Sequence, residues 1–294
     1  MSNIKGIYSA SMSVLNDDLT LNIDQTINHA ESLIENGCHG TIIFGSTGQA
    51  QLLPIAEKIN LLNKLSTTKY KHKYIVGTGL NSLGETINLM RVAKSLNFEK
   101  FLIMPPAYYN YGDKEVIDFY TKIVGAMPNC KIILYNFEKL CGYKFSVECV
   151  EELASKFPNQ IVGVKDSSYN LYENIKLTNF AVLLGSETKL LKSLELGCSG
   201  IITATCNVTS LLARKVYDDF ENNIEQTVND KLCNVREIFE QYNLISSLHT
   251  FFKQKKYIYK NVLPPLSILN DKDEKNLLTN LEKINFSIKS LMAA

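Results

Sequence analysis

The chain has 294 residues, 45% of them hydrophobic, so it is long enough and apolar enough to bury a substantial core. Its 31 lysines and arginines against 30 acidic residues leave a formal net charge of +1, which excludes an overall field that attracts nucleic acid or an acidic membrane surface. No apolar run is long enough to span a membrane, and no leader-like apolar stretch with a cleavage site opens the chain. We therefore expect a cytoplasmic protein without a nucleic-acid or membrane partner.

The cysteines and histidines indicate neither a disulfide framework nor a metal site. Seven cysteines are scattered without a C-x-x-C pair, and we expect them to be reduced. The four histidines show no metal-ligand spacing, so the sequence predicts that no metal ion is bound.

Short apolar runs rich in β-branched residues alternate with segments of helical periodicity. Eight of these runs predict strands, at 6–10, 40–44, 73–78, 100–104, 131–135, 161–165, 181–184 and 200–204. Helix start signals lie between them, such as Ser82 with Glu85 three residues later. Parallel strands need crossover helices, and eight of them close the sheet, so the pattern predicts an α/β fold, a (β/α)8 TIM barrel. An open doubly wound sheet is the alternative, but no G-x-G-x-x-G follows the first strand.

The pattern changes after the eighth strand. From about Thr209 onward the chain shows helical periodicity without strand-like runs. We therefore predict a barrel domain at 1–208 and a C-terminal helical extension at 209–294.

Three polar features follow predicted strands, where barrels of this kind place their functional side chains. Lys165 ends one buried run, Tyr135 ends the run before it, and GSTG at 45–48 follows the second strand. A strand-end lysine reaching into solvent is the simplest reading of Lys165 alone. Among apolar walls, however, desolvation favours its neutral amine, a nucleophile toward carbonyl groups. A neighbouring tyrosine can move protons, and a loop of hydroxyl and N–H groups can hold a carboxylate. Together these residues describe a Schiff-base aldolase.

Six motifs in order extend this description along nearly the whole chain: GIYSASMSVLNDD, GSTG, PPAYYN, YN, GVKD and GIITATCNV. They resemble the dihydrodipicolinate synthase/N-acetylneuraminate lyase family, pyruvate-dependent class I aldolases on a (β/α)8 barrel with a C-terminal helical domain. The resemblance implies that Lys165 forms the imine and that Tyr135 relays protons and contacts the substrate carboxylate. It implies Ser46 as the next member of the relay and Tyr109, from a neighbouring subunit, as the last.

The resemblance also implies how pyruvate is held and how the chain assembles. Thr47 and Gly48 belong to the carboxylate loop, and Ile202 lines the pyruvate pocket. The covalent imine to Lys165 replaces any cofactor. Members of the family pair tight dimers into tetramers, so we expect a homo-oligomer, a dimer of dimers.

The acceptor side of the family pattern is altered. Leu140 stands where the synthase has an arginine that grips the second substrate's carboxylate, and a lysine at 139 does not replace a bidentate guanidinium. Glu187 is the one carboxylate left where neuraminate lyases have an Asp-Glu pair, and Ala204 replaces their serine. We expect Leu140 and Glu187 to contact the acceptor, with Glu138 and Lys139 as further candidates.

The sequence therefore predicts a lyase of the aldolase type that cleaves or condenses a 2-oxo acid, with pyruvate as enamine donor, and an aldehyde. A 2-keto-3-deoxy sugar acid is the substrate type expected. One alternative is dihydrodipicolinate synthase, also called 4-hydroxy-tetrahydrodipicolinate synthase, which condenses pyruvate with aspartate semialdehyde. The other is a non-catalytic protein that binds oxo acids.

Overall fold

A computed structural model describes residues 4–287 of the chain, so the outer ends of both predicted domains, 1–3 and 288–294, lie outside the described residues. Within 4–287 there are eight strands: β1 (Gly6–Ala10), β2 (Gly40–Ile43), β3 (Tyr74–Gly77), β4 (Lys100–Ile103), β5 (Lys131–Asn136), β6 (Ile161–Asp166), β7 (Ala181–Leu184) and β8 (Gly200–Thr203). They form a closed barrel of parallel neighbours in chain order, and β8 returns to pair with β1. The predicted (β/α)8 TIM barrel is confirmed, and each predicted strand matches within one residue at either end.

The strands are apolar on both faces because both faces are buried. One set of side chains fills the barrel interior, including Tyr8, Ile42, Ile75, Leu102, Ile133 and Ile202. The other set packs outward against the helices in one continuous hydrophobic cluster. β-branched residues pack well both in the barrel interior and against the helices. Runs of them therefore predict the strand positions closely.

Eight helices accompany the strands: α1 (Ile23–Glu35), α2 (Ile55–Leu65), α3 (Leu83–Ser95), α4 (Asp113–Ala126), α5 (Glu138–Cys141), α6 (Val147–Lys156), α7 (Leu190–Glu195) and α8 (Cys206–Glu221). The predicted start of α3 is confirmed, since Ser82 Oγ accepts from the backbone N–H of Glu85 at 3.3 Å. In the part of the chain that the structure describes, none of the helices is long and apolar enough to cross a membrane.

The connection from β6 to β7 corrects the prediction that a helix follows every strand. Residues 167–180 contain no helix. The fully buried carboxylate of Asp166 instead accepts hydrogen bonds from the backbone N–H groups of Tyr169, Leu171 and Tyr172, at 2.8, 2.9 and 3.2 Å. Because one side chain holds these three N–H groups, the segment turns sharply without helical hydrogen bonds.

Three further helices complete the described chain: α9 (Asn229–Glu240), α10 (Leu244–Lys253) and α11 (Asp271–Lys283). They pack with Met12 and Val14, which follow β1, in a second hydrophobic cluster. Helix α8 packs against β1, and the predicted boundary between 208 and 209 falls inside this continuous helix. The division into two domains stays a prediction.

Two buried histidines connect this helical layer to the barrel. His29 on α1 donates from Nε2 to Asn207 Oδ1 at 2.8 Å and accepts from the Tyr259 hydroxyl at 2.9 Å. His249 on α10 donates from Nδ1 to the backbone oxygen of Tyr259 at 2.8 Å and accepts from the Gln49 side-chain amide at 3.4 Å. Each ring is satisfied as a neutral tautomer. Burial accordingly lowers the pKa of both histidines to about 4.

The buried histidines predict a loss of stability in mild acid. Between about pH 6.5 and 4 these two histidines bind protons in the unfolded chain but stay neutral in the native chain. The free energy of unfolding therefore falls as the pH falls through that window. We expect about 1 to 2 kcal/mol of loss per histidine from pH 7 to pH 5. Urea denaturation at several pH values measures it. His249→Gln should flatten the dependence, whereas the exposed-site control His72→Asn should not; equal slopes in all three proteins would contradict the prediction.

Candidate active site

Lys165 and Tyr135 are neighbours at the carboxyl ends of adjacent strands. They are paired in register across β6 and β5, and both side chains point into the barrel. Lys165 Nζ lies 4.1 Å from the centroid of the Tyr135 ring. Both residues are only 4% exposed, and no residue from 4 to 287 forms an ion pair with Lys165. A buried amine without a carboxylate partner remains available for reaction.

The loop after β2 brings a hydroxyl to this pair. Ser46 Oγ lies 3.2 Å from the Tyr135 hydroxyl. The loop is a tight turn in which the backbone oxygen of Gly45 accepts from the N–H groups of Gly48 and Ala50, at 3.1 and 3.4 Å. Thr47 is buried, and within residues 4–287 nothing accepts from its backbone N–H. Its N–H and hydroxyl are therefore free to bind an anion such as a carboxylate.

Gly48 has a structural reason to be glycine. A Cβ at this position would lie 2.9 Å from the backbone oxygen of Ser11. The backbone oxygen of Gly48 also accepts from Ser13 Oγ at 2.6 Å. The structure therefore places Gly48 where the loop contacts the segment after β1, beside the cavity rather than in its wall.

A cavity of about 260 Å³ at the carboxyl end of the barrel brings together part of the predicted site. Ser46, Thr47, Tyr135 and Lys165 line it, together with Leu140 at its outer part, 43% exposed. A second, mainly apolar cavity of about 320 Å³ adjoins it and shares Ser46, Tyr135 and Leu140 as walls. The active position of this fold class is thus occupied by the residues that the sequence singled out.

Glu138 does not line the cavity and instead forms an ion pair with Lys144 at 3.3 Å. Besides Gly48 and Glu138, three further predicted residues do not reach the cavity of the same chain. Ile202 is fully buried among the interior side chains of the barrel, in the cluster that contains Tyr135. Tyr109 is 74% exposed on the surface, with its ring 5.2 Å from that of Tyr108. Its predicted role requires a second copy of the chain, so that role stays a prediction.

Glu187 is the third, and its position differs from the one expected. The carboxylate is fully buried and accepts from the hydroxyls of Thr203 and Thr209, at 2.5 and 3.1 Å. It also pairs with Arg236 Nη1 at 3.4 Å. Because all of these partners surround it, Glu187 cannot contact an acceptor directly; it contacts the cavity only through Arg236.

Four side chains that were not predicted as site residues close the cavity on its outer side. Arg236, Glu240 and Asn243 come from α9 and the start of α10, and Tyr169 comes from the turn after β6. The i, i+4 spacing of Arg236 and Glu240 is typical of any ion pair on a helix surface, so it does not by itself indicate a site. Burial raises the pKa of Tyr169 to about 12, so its hydroxyl stays protonated and able to donate.

A closed (β/α)8 barrel with a buried lysine, a tyrosine and a Ser-Thr turn around one strand-end cavity defines an enzyme of the lyase class. The chain belongs to the Dihydrodipicolinate synthetase family, whose sequence model matches residues 3–284. The family predicted from the motifs is thereby confirmed.

The relatives include two kinds of named enzyme. The chain is 31% identical to the 4-hydroxy-tetrahydrodipicolinate synthase of Neisseria gonorrhoeae, over 71% of this chain and 73% of that protein. It is 27% identical to a 2-dehydro-3-deoxy-D-gluconate/2-dehydro-3-deoxy-phosphogluconate aldolase of Picrophilus torridus, over 76% of this chain and 85% of that one. The crystal structure of dihydrodipicolinate synthase from Agrobacterium tumefaciens superposes with a TM-score of 0.87 at 21% identity, covering 95% and 99% of the two chains, and shows the shared fold.

Proposed function

We propose that the protein is a class I aldolase that joins pyruvate to an aldehyde, or cleaves the product, through an imine on Lys165. The proposal rests on three neighbouring groups in one cavity. Lys165 Nζ lies 4.1 Å from the centroid of the Tyr135 ring, and Ser46 Oγ lies 3.2 Å from the Tyr135 hydroxyl. A buried amine supplies the nucleophile, and the two hydroxyls supply a path for protons.

The reaction follows from these groups. The Lys165 amine attacks C2 of pyruvate, and the carbonyl oxygen leaves as water when Tyr135 donates a proton to the carbinolamine. The Tyr135 oxygen, which has given up its proton, takes a proton from C3; this gives the enamine, with the electron pair held by the imine nitrogen. The enamine carbon then attacks the aldehyde carbon, and Tyr135 gives that proton to the aldehyde oxygen. Hydrolysis releases a 4-hydroxy-2-oxo acid and restores the amine; cleavage is the reverse.

Thr47 would bind the pyruvate carboxylate with its hydroxyl and its unbound backbone N–H. Ser46 would pass protons to and from Tyr135, and Ile202 would support Tyr135 from below. Because the imine itself accepts the electron pair, this mechanism needs neither a metal ion nor an organic cofactor.

We place the substrate among the 2-keto-3-deoxy sugar acids. Leu140 lines the cavity where an arginine would grip the carboxylate of aspartate semialdehyde. An aldolase for such sugar acids is among the relatives. The synthase is the second candidate, because a synthase is the relative at 31% identity. Saturable condensation with aspartate semialdehyde at ordinary concentrations would favour it.

The proposal also covers the oligomeric state of the protein and its location in the cell. Tyr108 and Tyr109 are 89% and 74% exposed, an unusual exposure for two adjacent aromatic rings, and their burial against another copy would complete the proton relay through Tyr109. We propose a homotetramer built as a dimer of dimers. All seven cysteines are free thiols in the structure, which suits the reducing cytoplasm.

Reductive trapping tests the proposal. The protein is incubated with pyruvate and borohydride, and the adduct is located by intact-mass and peptide mass spectrometry. We expect one adduct per chain, on Lys165. Lys58 is the internal control: it is also buried, and burial lowers its pKa to about 8, but its Nζ donates to the backbone oxygen of Thr78 at 3.0 Å outside this cavity. No adduct, or adducts on both lysines, would overturn the proposal.

A further inference from the structure

The outer wall of the catalytic cavity is built by an ion-pair cluster that the reaction itself does not use. Arg236 lies on α9 and joins two carboxylates, Glu187 behind the wall and Glu240 at the cavity surface. Asn243, at the start of α10, lies beside them in the same wall. These groups belong to the side of the cavity left for the aldehyde once Thr47 and Lys165 hold pyruvate, so the role assigned to them rests on the proposed function.

Arg236 is not free to bind an anion. Its Nη1 donates to Glu187 at 3.4 Å and to the Thr205 hydroxyl at 3.2 Å, while Nε and Nη2 donate to the two oxygens of Glu240 at 3.3 and 3.2 Å. Four of its five N–H groups are therefore engaged. The guanidinium side chain is 5% exposed, and Glu187 is fully buried. A phosphate or carboxylate would need the bidentate fork that these partners already occupy.

Glu240 presents negative charge to the cavity. Its side chain is 52% exposed, and each carboxylate oxygen keeps a lone pair beyond its bond to Arg236. Asn243 Oδ1 accepts from the backbone N–H groups of Ile245 and Ser246, while its amide nitrogen donates to no residue from 4 to 287. The wall thus offers acceptors from Glu240 and a donor from Asn243. Lys139 also lines the cavity, but it is an exposed, flexible point charge.

This combination matches hydroxyl groups, which donate and accept at once, and opposes an anion. We propose that the acceptor aldehyde is uncharged and hydroxylated, and that Glu240, held in place by Arg236 and Glu187, is the residue that selects it against phosphorylated and carboxylated aldehydes. A terminal phosphate would meet the Glu240 carboxylate and the apolar Leu140, while the guanidinium in this wall is already engaged and cannot neutralise it.

Glyceraldehyde and glyceraldehyde 3-phosphate test the proposal, because they differ only in the phosphate. Each is condensed with pyruvate under steady-state conditions, and kcat/KM is compared. We expect glyceraldehyde to be favoured by roughly tenfold or more. Glu240→Gln keeps the size of the side chain and removes its charge. It should lower the ratio of kcat/KM for glyceraldehyde to kcat/KM for glyceraldehyde 3-phosphate by about fivefold, mainly through KM for the aldehyde. Glu237→Gln, an exposed charge on the same helix outside the cavity, should leave the ratio unchanged.

Reductive trapping with pyruvate distinguishes failure of the selectivity from failure of the aldolase chemistry. Three outcomes would overturn the selectivity and leave the aldolase proposal in place, provided that Lys165 still forms the adduct. They are a preference for the phosphate ester, no turnover of glyceraldehyde, and an unchanged ratio in Glu240→Gln. An absent adduct would overturn the aldolase proposal itself, and the selectivity with it. The expected ratio, narrowed in Glu240→Gln but not in Glu237→Gln, would establish Glu240 as the selecting residue.

Discussion

Lys165→Ala is expected to lower the rate of aldol condensation or cleavage by roughly 10⁴-fold or more, a loss of the size seen when a covalent nucleophile is removed. The physical reason is that, of the two lysines that line the cavity, only Lys165 places its Nζ over the Tyr135 ring, whereas Lys139 is exposed at the cavity mouth. Coupled assays of pyruvate release measure the loss, and the borohydride adduct should disappear with it.

The control for this variant is Lys176→Ala, which removes an exposed lysine from the segment after β6. It should retain both turnover and the adduct. Thermal unfolding of Lys165→Ala should remain cooperative, because the substitution removes a buried amine that no carboxylate from 4 to 287 balances. A folded Lys165→Ala protein that keeps turnover within tenfold of the original would show that the chemistry does not pass through this lysine.

Tyr135→Phe should lower kcat by roughly 10² to 10⁴-fold, the range for loss of a general acid–base group. The ring stays in contact with Lys165, and only the hydroxyl that lies 3.2 Å from Ser46 Oγ is lost. Proton delivery to the carbinolamine and the aldehyde oxygen should therefore slow, while the amine can still attack pyruvate. Single-turnover kinetics should show a slow imine step, and borohydride should still trap an adduct on Lys165 after long incubation.

Tyr120→Phe is the matched control, since Tyr120 is a buried tyrosine whose hydroxyl donates to the backbone oxygen of Ile103 at 2.7 Å outside the cavity. Loss of the Tyr120 hydroxyl should lower the free energy of unfolding by about 1 kcal/mol and leave kcat nearly unchanged. If Tyr135→Phe affected only stability in the same way, the hydroxyl of Tyr135 would have no place in the proton path.

The local sequence pattern by itself determined the barrel and the pyruvate side of the site. Each strand must be apolar on both faces, so a run of β-branched residues predicts it from a few neighbouring residues. Lys165 and Tyr135 end consecutive strands, and parallel neighbours in register bring such ends together. The contact between them therefore follows from sequence spacing once the barrel is assumed. The turn of Ser46 and Thr47 follows in the same way from the end of β2.

Tertiary structure alone decided the acceptor side. The Asp166 carboxylate captures three backbone N–H groups and removes the helix that periodicity predicts after β6. Arg236 reaches Glu187 across 49 positions of the chain, and this ion pair turns a predicted substrate contact into a buried support. Its geometry depends on how α9 and α10 pack with Met12 and Val14 from the far end of the chain. Such contacts have no local signature, because a long-range pair is fixed by the packing of whole helices rather than by the spacing of the two residues that meet.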